Sequence, residues 1–237
     1  GPPGLEAGGD RPPAGTLYVV ATPIGNLEDI TIRAIRILKE VRLIAAEDTR
    51  RTRILLDRYQ IETPLISLYD QNELKKSGLL LARLQGGDDV AYVSDAGTPG
   101  ISDPGFLLAR KCIEKGIEVE TLPGPTALIP SLINSGLPCD RFCFEGFLPS
   151  KKGRNKRLEA LEQETRTIIF YESPYRLTKT LCDLATYFGA EREASVSREL
   201  TKIHEENIRG SLSYLAGYFK EKPPKGEIVI VVAGRKS

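Results

Sequence analysis

The sequence predicts an α/β fold made of two domains. Three observations predict it. Short β-branched runs alternate with longer stretches of helical period, the alternation restarts near residue 140 with different spacing, and 237 residues at 41% hydrophobic and 27% charged suffice for soluble cores.

The elements follow in order. Residues 17–22 read as a strand. Residues 30–39 carry Ile30, Ala34, Ile35, Ile37 and Leu38 on one helical stripe. A strand at 43–46, a helix at 49–59, a strand at 65–69, a helix at 73–84 and a strand at 90–94 come next. A helix at 106–115 stops at Gly116, because glycine accepts the left-handed backbone that commonly ends a helix. A strand at 118–122 and a short helix at 126–134 close this half, whose regular alternation predicts a parallel sheet covered on both faces. The second half reads as strands at 142–145, 167–171, 194–198, 204–209 and 227–233, with helices at 155–164, 177–188 and 212–219. The turn Pro223-Pro224-Lys225-Gly226 introduces the last strand. The boundary is placed at Ser135-Gly136-Leu137-Pro138. This gives an N-terminal domain at 16–138 and a C-terminal domain at 139–237, with 1–15 set aside as a disordered tail or tag remnant.

Composition removes several function classes. Lys plus Arg is 33 and Asp plus Glu is 32, a net charge of +1. Such a chain has no whole-molecule field for nucleic acid or an anionic membrane, so a polyanion would need a local basic patch. No apolar run approaches the ~20 residues of a membrane helix, and the Gly- and Pro-rich start has no signal-peptide core. There is no Met, so the sequence is not expected to be a whole translation product. Cys112, Cys139, Cys143 and Cys182 are expected to be buried free thiols of a cytoplasmic protein. Cys139-x3-Cys143 lacks a second ligand pair, and with His204 as the one histidine no metal is expected.

In open α/β sheets ligands bind beyond the carboxyl ends of strands. Beyond the first strand lies Thr22-Pro23-Ile24-Gly25-Asn26-Leu27, which is neither a dinucleotide fingerprint nor a P-loop. It reads as a site turn or as a plain strand-to-helix turn. Beyond the second lies Glu47-Asp48-Thr49-Arg50-Arg51, suited to acid–base work or, equally, to capping a helix through Asp48 or Thr49. The run from Ser94 to Gly105 holds three glycines and two prolines, a long loop that lets a ligand approach the backbone closely, or else an inert loop. Pro123-Gly124-Pro125-Thr126 is a second rigid turn, opening a helix with free N–H groups. Phe170 to Arg176 and Glu199-Leu200-Thr201-Lys202 put aromatics and charge at later strand ends. Lys151-Lys152-Gly153-Arg154-Asn155-Lys156-Arg157 is the one dense basic run, a solvated loop or a phosphate grip.

Seven segments in this order carry a resemblance: TPIGNLEDIT at 22–31, AAEDTR at 45–50, SDAGTPGISDPG at 94–105, LPGPTA at 122–127, GLPCDRFCFEGFLP at 136–149, FYESPYRL at 170–177 and RELTK at 198–202. Across residues 16–234 the chain resembles the tetrapyrrole-methylase-like, class III methyltransferases. Within them it is most similar to the branch that methylates a cytidine 2′-hydroxyl of 16S rRNA in the decoding centre. The segment Tyr69-Asp70-Gln71-Asn72-Glu73 departs from the pattern, having no His where relatives often carry one or two. The resemblance implies two α/β domains of the tetrapyrrole methylase type, S-adenosylmethionine in the cleft between them, and a homodimer acting on 16S rRNA or the 30S subunit. Carried over residue by residue, it implies cofactor contacts at Ile24, Asp95, Ala96, Gly97, Thr98, Ile101, Thr126, Ala127, Tyr171, Leu200 and Gly226. The hydroxyl must lose a proton, and Glu47, Asp48, Glu172 and Lys202 are the candidates for that role. Lys151, Lys152, Arg154, Lys156 and Arg157 are the expected RNA contacts. The alternatives are a tetrapyrrole methyltransferase on the same fold and a non-catalytic RNA-binding module.

Overall fold

A computed structural model describes residues 13–68, 73–101 and 105–237, with side chains from residue 75 onward in the helix that begins at 73. The segment 69–72, most of the departure noted above, lies outside these residues, as do 102–104 of the glycine loop and 1–12 of the tail. Gly15, within the segment set aside, is buried and donates its N–H to the Leu84 carbonyl at 2.7 Å. The chain divides into two compact units, residues 1–23 with 27–125 and residues 24–26 with 126–237.

Unit 1 holds β1 (Leu17–Val20), α1 (Ile32–Glu40), β2 (Leu43–Ala46), α2 (Thr49–Arg58), β3 (Leu65–Ser67), α3 (Glu73–Gln85), β4 (Val90–Val93), α4 (Gly105–Glu114) and β5 (Val119–Thr121). Its sheet has the order β3-β2-β4-β1-β5, and every pairing is parallel. The inner strands LIAA and VAYV are buried at every position, as a sheet covered on both faces requires. Alternate residues serve the two faces. Leu17, Val19, Leu43, Ala45, Val90 and Tyr92 pack with Leu80, Leu84, Leu108 and Cys112 of α3 and α4. Val20, Ile44, Ala46, Ala91 and Val93 pack with Ala34, Ile37, Leu38 and Leu56 of α1 and α2. Thr31 starts α1 by accepting the Ala34 N–H at 2.9 Å.

Unit 2 holds α5 (Leu128–Ser135), β6 (Phe142–Phe147), α6 (Arg154–Leu161), β7 (Thr167–Glu172), α7 (Leu177–Phe188), β8 (Glu193–Arg198), β9 (Glu206–Ser211), α8 (Leu212–Glu221) and β10 (Ile228–Val232). The order is β6-β7-β10-β8-β9, with only β6 and β7 parallel. Ile168, Phe170, Val196 and Ile230 face Leu158, Leu177, Leu181, Leu184, Leu212 and Leu215 from α6, α7 and α8. Helix α5 packs on β8 and β10, so the units divide at 125/126, whereas the sequence boundary is drawn at 138. Gly136, left-handed at φ 69°, ends α5. Of the four free cysteines only Cys112 is buried, and burial pushes its thiol up to about 11; Cys139 and Cys143 are half-buried and Cys182 is exposed, against the expectation of buried thiols. Among the described residues no helix is long and apolar enough to cross a membrane, and no group of three or more His, Cys, Asp or Glu could hold a metal ion.

Candidate active site

The strand order of unit 1 fixes where a ligand belongs. From β1 the chain leaves toward β2 on one side, and from the adjacent β4 it leaves toward β5 on the other. With right-handed crossovers the two connecting helices fall on opposite faces, as the two half-cores show. The ends of β1 and β4 are therefore the topological switch point, where the chain opens a crevice beyond the strands.

The residues just past these strands are tied together. Thr22 and Gly97 exchange backbone hydrogen bonds at 3.1 and 2.9 Å, and the Thr22 hydroxyl donates to the Ser94 carbonyl at 3.3 Å. The Ser94 hydroxyl reaches the Ala96 and Gly97 carbonyls, each at 3.1 Å. Gly97 and Gly100 have φ of 77° and 94°, which only glycine adopts without strain. The loop is held from two further strand ends. Asp95 accepts the Asp48 N–H at 3.0 Å, and Thr98 donates to the Pro125 carbonyl at 3.3 Å. Ala96 is partly buried and Ile101 half-exposed. No Lys or Arg occurs in residues 94–101 or 122–127. Thr22 and Ser94, which fasten the loop, are not among the sequence candidates; both are polar residues within two positions of a buried strand's end.

At the end of β2, Glu47 is partly buried. Asp48 caps α2, accepting the Arg50 N–H at 2.9 Å, and that N–H holds its carboxyl below the ordinary value. This is the capping reading of the motif.

Unit 2 has strand-end groups of its own. Burial pushes the Tyr171 phenol up, while its hydroxyl meets the Thr126 side chain and the Leu128 backbone at the start of α5. Ala127 is the N-cap of α5 and makes no side-chain cap. Glu172 is buried and already serves three protein donors. It accepts the Thr180 hydroxyl and the Ser173 N–H, each at 2.6 Å, and lies 3.5 Å from Arg176 Nε. Such a carboxylate suits holding the strand end more than taking a proton.

The loop after β8 is strained. Glu199 and Thr201 have φ of 54° and 72°, unusual for non-glycine residues and most so for β-branched Thr201. The Thr201 hydroxyl is buried without a hydrogen-bond partner, and Leu200 is buried. Two glycines make room for this loop. A Cβ on Gly25 would sit 2.7 Å from Lys202 Cγ and 2.8 Å from the Thr201 hydroxyl, so the turn carrying Ile24 lies directly against the Lys202 stem. A Cβ on Gly226 would sit 1.8 Å from the Glu199 carboxylate. Lys202 Nζ pairs with Glu199 at 3.2 Å and approaches Glu227 at 4.0 Å. Burial pushes the Glu199 carboxyl up, but the Glu227 N–H and the Lys202 ammonium outweigh it and hold it below its usual value.

The basic run divides. Lys151, Lys152, Lys156 and Arg157 are exposed, with Arg157 paired to Glu145 at 3.1 Å. Arg154 is 5% exposed, and its guanidinium is held by Asp183, Pro149 and Thr180. It is not part of the exposed patch.

The chain matches the model of the tetrapyrrole (corrin/porphyrin) methylases over residues 16–216. It is 57% identical to ribosomal RNA small subunit methyltransferase I of Synechocystis, over 93% of this chain and 79% of that one. It is 50% identical to the protein of the same name from Thermotoga maritima, over 94% of this chain and all of that one. Among solved structures, uroporphyrin-III C-methyl transferase from Thermus thermophilus, complexed with S-adenyl homocysteine, superposes with a TM-score of 0.65 at 19% identity, over 92% of this chain and 97% of that one. A likeness at that identity speaks for the fold. On the family model and on relatives half or more identical over nearly the whole chain, this protein belongs to the tetrapyrrole methylases and, within them, to the ribosomal RNA small subunit methyltransferase I family.

Proposed function

We propose that the chain transfers a methyl group from S-adenosylmethionine to small-subunit ribosomal RNA, at the 2′-hydroxyl of a cytidine ribose. The observation that carries this reading is the switch-point loop, bound down by Thr22, Ser94 and Asp95 and free of any cationic side chain. A phosphate-bearing cofactor asks for a cradle of N–H groups and cations. S-adenosylmethionine carries no phosphate, and its sulfonium and ammonium tolerate an acidic, carbonyl-rich lining. Asp95, Ala96, Gly97, Thr98 and Ile101 offer one carboxylate, backbone groups, a hydroxyl and apolar surface, a donor set that fits it.

The bound cofactor supplies an already activated methyl group. What remains for the protein is alignment and a destination for the hydroxyl proton. Asp48 also holds a helix cap, Glu172 a strand end and Lys202 an ion pair with Glu199, and with Glu47 these four are the candidates for that role. The exposed cations Lys151, Lys152, Lys156 and Arg157 supply the local charge that RNA needs from a protein of net charge +1. The names of the relatives favour RNA over a tetrapyrrole. The same reading takes a homodimer in the cytoplasm as the working state.

The test is methyl transfer from labelled S-adenosylmethionine to 30S subunits, to free 16S rRNA and to a porphyrinoid. Label on a cytidine ribose is expected. Transfer to the porphyrinoid alone would replace the RNA reading, and no cofactor binding would remove both.

A further inference from the structure

Arg154 opens α6 in a place where a cation is unfavourable. The helix dipole is positive at this end, the first turn contains no acid, and Lys151, Lys152, Lys156 and Arg157 crowd the same terminus. The N-cap is Gly153, left-handed at φ 85°, and it makes no side-chain cap. Something else must hold the loop before α6 in place, and the buried guanidinium does so in three directions. Nε donates to Asp183 at 2.9 Å, Nη1 to the Pro149 carbonyl at 3.1 Å and Nη2 to the Thr180 hydroxyl at 2.9 Å. The Thr180 hydroxyl in turn donates to Glu172 Oε2 at 2.6 Å. One side chain thus joins the start of the basic loop, helix α7 and the carboxyl end of β7.

We propose that Arg154 is a positioning residue for RNA binding: it clamps residues 149–153, and with them Lys151 and Lys152, to α7 and the end of β7. The inference rests on the reading of the exposed cations as the RNA grip. It assigns Arg154 no contact with RNA. What matters is the planar fork with its separated donors, so a lysine, which keeps the charge at a single point, does not substitute. A bound polyanion gains most from cations already held in place, because ordering them during binding costs affinity.

The experiment compares wild type with Arg154→Lys, Arg154→Gln and Thr180→Val. It uses 30S subunits and transcribed 16S rRNA as the RNA and reads KM and kcat for methyl transfer, S-adenosylmethionine affinity and the unfolding temperature. Arg154→Lys and Arg154→Gln are expected to raise the RNA KM alike, by about tenfold, with kcat and cofactor affinity within about twofold. Thr180→Val removes a link that lies behind the loop, and it should raise the same KM by about threefold. If Arg154→Lys keeps the wild-type KM, charge alone suffices and the clamp is refuted. Should the Arg154 variants not fold, Thr180→Val decides, and an unchanged KM there refutes the clamp as well. Wild type that methylates neither 30S subunits nor free 16S rRNA refutes the proposed function instead, so the two failures are distinguishable.

Discussion

Gly226→Ala tests whether the strained loop after β8 is built around a missing side chain. Two costs follow from the structure. At φ 89° an alanine meets the left-handed penalty of ~1–2 kcal/mol. Its Cβ would also stand 1.8 Å from Glu199 Oε1, so the carboxylate must leave. That oxygen accepts the Glu227 N–H at 2.9 Å and the Lys202 ammonium at 3.3 Å. Losing these partly buried bonds costs ~1–2 kcal/mol more, for a total of ~2–4 kcal/mol. Gly136 provides the control, with φ 69° and nothing within 4 Å of the added Cβ. Gly136→Ala should therefore cost only the backbone share, ~1–2 kcal/mol. Equilibrium urea unfolding measures both. In a Glu199→Ala background the cost of Gly226→Ala should fall to that of the control, a coupling of at least ~1 kcal/mol. Equal costs for the two glycine variants, or no relief on removing Glu199, would show that the carboxylate does not pack over Gly226.

Three further outcomes are expected. Thr98→Lys places a cation in a loop that has none and should abolish S-adenosylmethionine binding in calorimetry while circular dichroism stays native; unchanged affinity would move the cofactor elsewhere. Replacing Lys151, Lys152, Lys156 and Arg157 by Gln should flatten the dependence of RNA affinity on salt by about 3–4 in log–log slope, since fewer counterions are released, with cofactor affinity unaltered; equal slopes would mark the patch as a solvated face. The Arg166 side chain, helped by its own N–H, holds the Glu164 carboxyl down to about 2. A depressed carboxyl stabilises the fold above its ordinary value near 4.5 and loses that contribution as pH falls toward 2. Arg166→Ala should make stability less steep in that window, and an unchanged pH profile would count against the pair.

Elements with a strong period were legible from sequence, and α7 was read at its observed limits because Leu177, Leu181, Leu184 and Phe188 keep one stripe. Strand ends were less so. Residues 17–22 read as one strand, but the sheet pairing stops at Val20 and Thr22 turns to bridge Gly97. The antiparallel placement of β10 between β7 and β8 has no local signal, since pairing partners lie 30 or more residues apart. The site was legible as loops and not as roles. Asp48 and Glu172 look alike in sequence as acids at strand ends, and their duties depend on Arg50 in one case and Thr180 in the other. Arg154 reads as one cation among five until Asp183, 29 residues later, draws it inward. The left-handed Glu199 and Thr201 carry no sequence mark at all, because nothing about those residue types favours that backbone.

The membership of residues 24–26 in unit 2 has a consequence in time. Gly25 lies against Lys202, 177 residues further along the chain. At ~5–20 residues per second of synthesis, the turn waits about 9–35 s after it is made before its packing partner exists. The first turn of the chain is thus among the last to settle, and a fragment beginning at residue 126 would lack the piece that covers the Lys202 stem.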